Sequence, residues 1–203
     1  MLVVKQKKTL SNHEVSQIIK LIVEENHKSI LAQLSENIIK KFLLIGLKSK
    51  YVILYLGYLK KKEIIAYALL IKNLDKFFYE FKIIRFEIIL DLIKKFKLIS
   101  FFSLVLSAYN IDILFVKKKI KKIISHSLNL NLLAVKKKYQ NKGFGKIFLI
   151  KIFKNHKNYK FISLEAVSIR AINFYKKKFN FKEVGKKFRF FNFFRILVKF
   201  NNT

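Results

Sequence analysis

Between Leu128 and Val167 the chain runs through a strand-like segment, a polar loop holding two glycines, an apolar helical pattern and a second strand-like segment. That order constrains the fold more than any other part of the sequence. Two strands joined through a helix pair in parallel, and the crossover between them is right-handed. Around this unit, Tyr51 to Leu56 and Ile64 to Leu70 are β-prone runs separated by a short Lys-rich link, which reads as a hairpin. Two further β-prone runs, Val184 to Phe190 and Arg195 to Phe200, end the chain. The expected fold class is α/β, a mixed sheet with a central parallel pair flanked by antiparallel strands and helices.

From Ser11 to Leu47 the apolar positions Val15, Ile18, Ile19, Ile22 and then Ile30, Leu31, Leu34, Ile38, Ile39, Phe42 recur at three- and four-residue steps. This is the periodicity of amphipathic helices, with Ser11 or Asn12 as the first cap and Glu14 near the positive end. The stretch from Asn73 to Lys122 is mostly apolar, carries scattered lysines and lacks Gly and Pro. It reads as a helical insertion between strands. No internal repeat or linker divides the 203 residues, so a single domain over 1–203 is expected, with 73–122 as its insertion.

With 43 Lys and Arg against 12 Asp and Glu the formal charge is +31, a balance that ordinarily points to a polyanionic partner. Here Pro, Cys and Trp are absent and Gly is scarce, while Lys, Ile, Phe and Asn abound, the pattern left by codons drifting to A and T. The lysines also run through the whole sequence instead of collecting on one face, so a nucleic-acid partner is not expected. Without Cys there are no disulfides, no thiolate nucleophile and no Cys-ligated metal. His13, His27, His126 and His156 share no metal-ligand spacing, so no metal site is expected. Met1 to Lys5 opens no signal peptide, which points to the cytoplasm. Leu98 to Val116, whose one charge is Asp112, contains Ser100, Ser103, Ser107 and Asn110. A spanning helix needs about 20 strongly apolar residues, so a buried or interfacial helix is expected there, with peripheral membrane contact as the alternative.

A glycine-punctuated turn between a strand and a helix turns main-chain N–H groups outward at the positive end of the helix dipole, a cradle for phosphate. Such a turn also needs glycine merely to turn. Two nucleotide loops are excluded by spacing. A dinucleotide fingerprint needs a third glycine where Phe148 stands, and a Walker loop needs Ser or Thr where Ile147 follows Lys146.

The segment Ala134-Val135-Lys136-Lys137-Lys138-Tyr139-Gln140-Asn141-Lys142-Gly143-Phe144-Gly145 resembles the pyrophosphate arm of the GNAT acetyltransferases, Gln/Arg-x-x-Gly-x-Gly/Ala after a strand ending in Ala-Val. Downstream, Ser168-Ile169-Arg170-Ala171-Ile172-Asn173-Phe174-Tyr175-Lys176-Lys177-Lys178-Phe179-Asn180-Phe181 resembles the second GNAT motif, commonly Asn-x-x-Ala-x-x-Phe-Tyr-x-x-x-Gly-Phe. More loosely, the pattern from His27 to Leu44, the hairpin and the Lys/Phe-rich insertion resemble GNAT members found in bacterial surface-polysaccharide gene sets.

The resemblance implies acetyl-CoA as acyl donor and a small amine as acceptor, an amino sugar first and a protein N-terminus or lysine second. It implies that the amides of Gln140, Asn141, Lys142, Gly143, Phe144 and Gly145 bind the CoA pyrophosphate. The strand through Leu133, Ala134 and Val135 would present main-chain groups to the pantetheine and the acetyl carbonyl, with Ser168 and Ala171 adding cofactor contacts from the second motif. Tyr175 would protonate the departing thiolate, a role suited to a phenol with an ordinary pKa of about 10. Ser168 stands where the family has Asn, and Asn180 where it has Gly. Where many relatives carry a Glu base on the strand before the loop, this chain has Asn129. That leaves Glu165, on the neighbouring strand, as the expected base, with His126 as the other candidate. The expectation from another class is a non-catalytic protein whose basic surface docks on anionic lipid. The sequence carries no sign of oligomeric state.

Overall fold

A computed structural model describes residues 1–26, 29–59, 63–102, 116–189 and 192–201. Its strands are β1 (Val3–Lys7), β2 (Val52–Tyr58), β3 (Ile64–Ile71), β4 (Leu128–Val135), β5 (Phe161–Ala166), β6 (Lys182–Arg189) and β7 (Asn192–Phe200). They form one sheet in the order β1-β2-β3-β4-β5-β7-β6. Only β4 and β5 run parallel, in the middle, and every other neighbouring pair is antiparallel. The expected class, hairpin and parallel pair are all present. The strand β1, which packs along the edge on β2, was not expected.

The helices are α1 (Asn12–Glu25), α2 (Ile30–Gln33), α3 (Glu36–Lys48), α4 (Leu74–Glu80), α5 (Lys82–Lys94), α6 (Lys118–Ser125), α7 (Phe144–Lys154) and α8 (Ile169–Phe179). Ser11 caps α1 with a full capping box: its hydroxyl accepts from the Glu14 N–H, and the Glu14 carboxylate accepts from the Ser11 N–H. Glu14 also bonds Lys7 at 2.9 Å and the Tyr58 hydroxyl at 2.5 Å, fastening α1 to the edge of the sheet. Between β3 and β4, in the stretch expected to be a helical insertion, the described residues form α4, α5, a helical run at 98–102 and α6. Most of the segment from Leu98 to Val116 lies outside the described residues, and no described helix is long and apolar enough to cross a membrane.

Side chains of a strand alternate between faces, and the two faces of this sheet carry separate cores. Leu54, Leu56, Tyr67 and Leu69 pack with α1, α2, α3, α4 and α5 on one side. Ile53, Tyr55, Ala66 and Leu70 pack with α7 and α8 on the other. All eight residues of β3 are buried, as a strand covered on both faces requires. Gly57 of β2 lets α7 lie close on the sheet, since a Cβ there would stand 3.2 Å from both the Ala66 Cβ and the Phe148 ring.

Candidate functional site

The site begins where the parallel pair comes apart. β4 pairs with β5 only from Leu128 to Leu130, opposite Ile162 to Leu164. On its other edge β4 stays paired with β3 as far as Val135. Leu69 faces Leu132 and Leu70 faces Leu130, so Asn131 is an extra residue on β4 without a partner on β3. A bulge of this kind bends its strand, and here it coincides with the end of the β4–β5 ladder. Beyond the split, the edge of Leu132 to Val135 that faces away from β3 has no strand partner among the described residues. The gap continues into a cavity of about 730 Å³ bordered by β4, β5, α8 and the α1–α5 layer.

The loop expected to hold pyrophosphate follows directly on this free edge. A single 3₁₀ turn, Lys137–Tyr139, leads to Gln140. Asn141 then takes φ 60 and Gly143 φ 80, and α7 starts at Phe144. Main-chain N–H groups of Asn141, Lys142, Gly143, Phe144 and Gly145 donate to no main-chain acceptor among the described residues. They lie at the positive end of the α7 dipole, where free N–H groups favour negative charge. Exposed Lys142 and Lys146 add positive charge around it.

The two glycines differ in what they do. Gly143 sits in left-handed backbone, with nothing within 4 Å of where a Cβ would stand. Gly145 has no such backbone demand. A Cβ on it would lie 3.5 Å from Val135 Cγ2 and 3.9 Å from Phe174 Cζ, ordinary contact distances between the end of β4 and α8.

Not every predicted loop residue presents its side chain to a ligand. Gln140 turns inward and donates through Nε2 to the Val135 carbonyl at 2.8 Å and to Glu25 Oε2 at 2.7 Å. Phe144 packs edge-on against Tyr139, with centroids 5.5 Å apart. Ala134 is buried in the core, and Val135 packs on the α7–α8 side. These residues shape the loop and the end of β4, and the Gln140 N–H is itself taken by the Lys137 carbonyl at 3.1 Å. Leu133, Ser168, Ala171 and Tyr175 border the cavity itself.

The second motif forms α8. Ser168 is its N-cap, accepting from the Ala171 N–H at 3.1 Å, so the Ser in place of Asn still serves as a cap. Asn180 ends the helix with φ 56 and ψ 35, the left-handed conformation that Asn tolerates in place of Gly. Tyr175 lies between these ends, 7% exposed, packed against Phe174 and Phe181. Burial pushes its phenol upward from the ordinary value, so the hydroxyl keeps its proton at neutral pH.

Of the candidate bases, Glu165 borders the cavity and stands one residue past the last β5 partner of β4. Its carboxylate pairs with Lys187 Nζ at 3.2 Å. Asn129 also borders the cavity, but its amide is held by Ser163 at 3.0 Å, and Ser163 in turn contacts Ser127. His126 ends α6 with its Nδ1 near the Lys122 carbonyl at 2.9 Å, and it does not border the cavity.

Three contributors had no signal in the sequence. Glu25, at the end of α1, accepts from the Lys137 N–H at 2.6 Å as well as from Gln140. Arg170 hydrogen-bonds the Asn141 side chain and ties α8 to the loop. Asn131 supplies the bulge. Each depends on a contact between distant parts of the chain or on a slip of register.

No family model matches the chain, and no curated protein matches it. Solved structures do. The polyamine N-acetyltransferase of Drosophila melanogaster superposes with a TM-score of 0.62 at 11% identity, covering 98% of this chain and 100% of that one. The spermidine N-acetyltransferase of Vibrio cholerae in complex with CoA and spermine gives 0.58 at 12%, covering 98% and 95%. The ribosomal-protein-S18-alanine N-acetyltransferase of Escherichia coli gives 0.59 at 12%, covering 100% and 96%. The chain has the GNAT acetyltransferase fold over essentially its whole length.

Proposed function

We propose that this chain is an acetyl-CoA-dependent N-acetyltransferase acting on a small amine. The observation that carries the reading is the parting of β4 from β5 beside a loop whose consecutive amides are free. One side of the split offers the main-chain groups of β4 that point away from β3, those of Leu133 and the Val135 N–H, and the other offers Glu165 and Tyr175. Acetyl-CoA fits this arrangement, since its pyrophosphate needs an anion cradle and its pantetheine a free strand edge. It supplies an activated thioester.

The roles of the chain's own residues follow from their places. Amides from Asn141 to Gly145 hold negative charge at the start of α7. The free edge of β4 orients an amide-bearing chain by main-chain hydrogen bonds and leaves an N–H to polarise a carbonyl. Tyr175 keeps a proton at its hydroxyl, ready for a sulfur that gains negative charge. Glu165 takes up the proton of the attacking amine, either directly, by parting from Lys187, or through water. Most of the rate enhancement in such a site comes from positioning.

The reading is tested by following release of free thiol from acetyl-CoA with a panel of primary amines. Wild-type protein is expected to turn over, and Tyr175→Phe, which keeps the ring, to lose about 10²-fold in kcat. Equal kcat in the two proteins would remove Tyr175 from the chemistry.

A second reading is favoured by one observation. Ile83 and Phe86 of α5 are 81% and 68% exposed beside Lys82 and Arg85, a combination suited to an anionic lipid surface. Sedimentation with anionic vesicles in a protein that retains no acetyl-CoA would favour it over the enzyme.

A further inference from the structure

The cavity at the β4–β5 split has walls of two kinds, and their chemistry bears on the acceptor. Where α3, α4 and α5 meet, it is bounded by Phe42, Phe77, Phe78 and Phe81, with Leu34 and Ile88 beside them. The rings form one cluster: Phe42 and Phe81 stand 4.7 Å apart, and Phe77 and Phe81 4.3 Å.

Of the polar side chains of the lining, all but Asn131, Tyr175 and Arg85 are engaged by other groups of the described residues. Asn26 donates to the Tyr67 hydroxyl, and Ser29 caps α2 through the Ala32 N–H at 3.2 Å. Asn129 is held by Ser163 and Ser168 by the Ala171 N–H. Both carboxylates are taken too, Glu25 by the loop and Glu165 by Lys187. The remaining charged side chain of the lining is the cation Arg85.

We infer that the acceptor of this site is a primary amine borne on an apolar body, an alkyl or aryl amine. The inference rests on the acetyltransferase reading for the role of the cavity and goes beyond it in naming the substrate class. A sugar carries a hydroxyl on nearly every carbon, and each one buried without a partner is penalised. The wall of Phe, Leu and Ile supplies none of those partners. A polyamine needs a carboxylate for its second ammonium. Here it meets Arg85 on a chain of net charge +31. An alkyl or aryl group instead removes its own surface and that of the wall from water, which is favourable with no hydrogen bond at all. The amino-sugar expectation rests on family resemblance alone.

The test compares butylamine, pentylamine, hexylamine, glucosamine and spermidine as acceptors at saturating acetyl-CoA. Each added methylene should raise kcat/KM about 4-fold, with glucosamine and spermidine below butylamine. Phe78 is 49% exposed and so can be replaced without opening the core; Phe78→Ser should flatten the slope. A flat series, or glucosamine or spermidine outperforming hexylamine, would overturn the inference while leaving an acetyltransferase. Calorimetric binding of butylamine and hexylamine without acetyl-CoA separates the two readings. Graded binding without any acetyl transfer would keep the apolar pocket and remove the transferase. Neither graded binding nor transfer would overturn both.

Discussion

Glu25 Oε2 accepts a hydrogen bond from Gln140 Nε2 at 2.7 Å, joining the end of α1 to the loop that opens α7. A carboxylate at the C-terminal end of a helix is disfavoured by the helix dipole, and here the Lys137 N–H and Gln140 compensate it. The loop is therefore held from the face of the sheet that α1 covers. Glu25→Ala removes two hydrogen bonds to a charged group, each of the order of 1.5–3 kcal/mol in such settings. The variant is expected to fold and to bind acetyl-CoA about 10-fold more weakly, as read by calorimetry. Undiminished affinity would show that the loop keeps its shape unaided.

Gly143 gives a second handle on the loop. Its φ of 80 places an L-residue in left-handed backbone, at a cost of about 1–2 kcal/mol, and no atom lies near an added Cβ to cost more. Gly143→Ala should lower Tm by roughly 2–8 °C. Acetyl-CoA affinity should fall by more than this modest strain explains, because the amides on either side must stay in place to hold the anion. A thermal scan and a titration on the same sample separate the two effects.

Acid stability should follow Glu14. Burial alone would raise its pKa, but hydrogen bonds from Tyr58, Lys7 and Ser11 and the charge of Lys7 outweigh it and bring the value to about 2 from an ordinary 4.5. A carboxylate depressed in the folded state contributes stability that is present above its unfolded value and lost as pH falls through its folded value. Glu63, held by Lys136, Lys138 and Tyr139, is lowered to about 2 in the same sense. The urea midpoint is thus expected to fall between about pH 5 and pH 2, and less steeply in Glu14→Gln. A parallel loss in both proteins would place the acid-sensitive contacts elsewhere.

Much of the fold was legible because its signals are local. The parallel pair follows from strand, loop, helix and strand in close succession, and the hairpin from two β-prone runs with a short link. The capping of α1 by Ser11 and the left-handed Asn180 follow from residue type. What the sequence concealed has physical reasons. Val3–Lys7 is an edge strand with a single strand neighbour, β2, and its side chains are mostly exposed, so it carries no apolar alternation. The bulge at Asn131 is a register slip between β3 and β4, which neither strand announces alone. Glu25 meets Gln140 across 115 positions. The aromatic wall of the cavity gathers Phe42 from α3, Phe77 from α4 and Phe81 from the junction of α4 and α5, and in sequence these look like ordinary core residues.

The central claim is that the split between β4 and β5, with the loop before α7, is an acetyl-CoA site. Titrating acetyl-CoA calorimetrically into the wild-type protein and into Tyr175→Phe tests it most directly. The expected result is saturable binding of one acetyl-CoA per chain with similar affinity in both proteins, since the hydroxyl acts on the departing thiolate and not on the cofactor's grip. Absence of saturable heat with folded wild-type protein would contradict the claim.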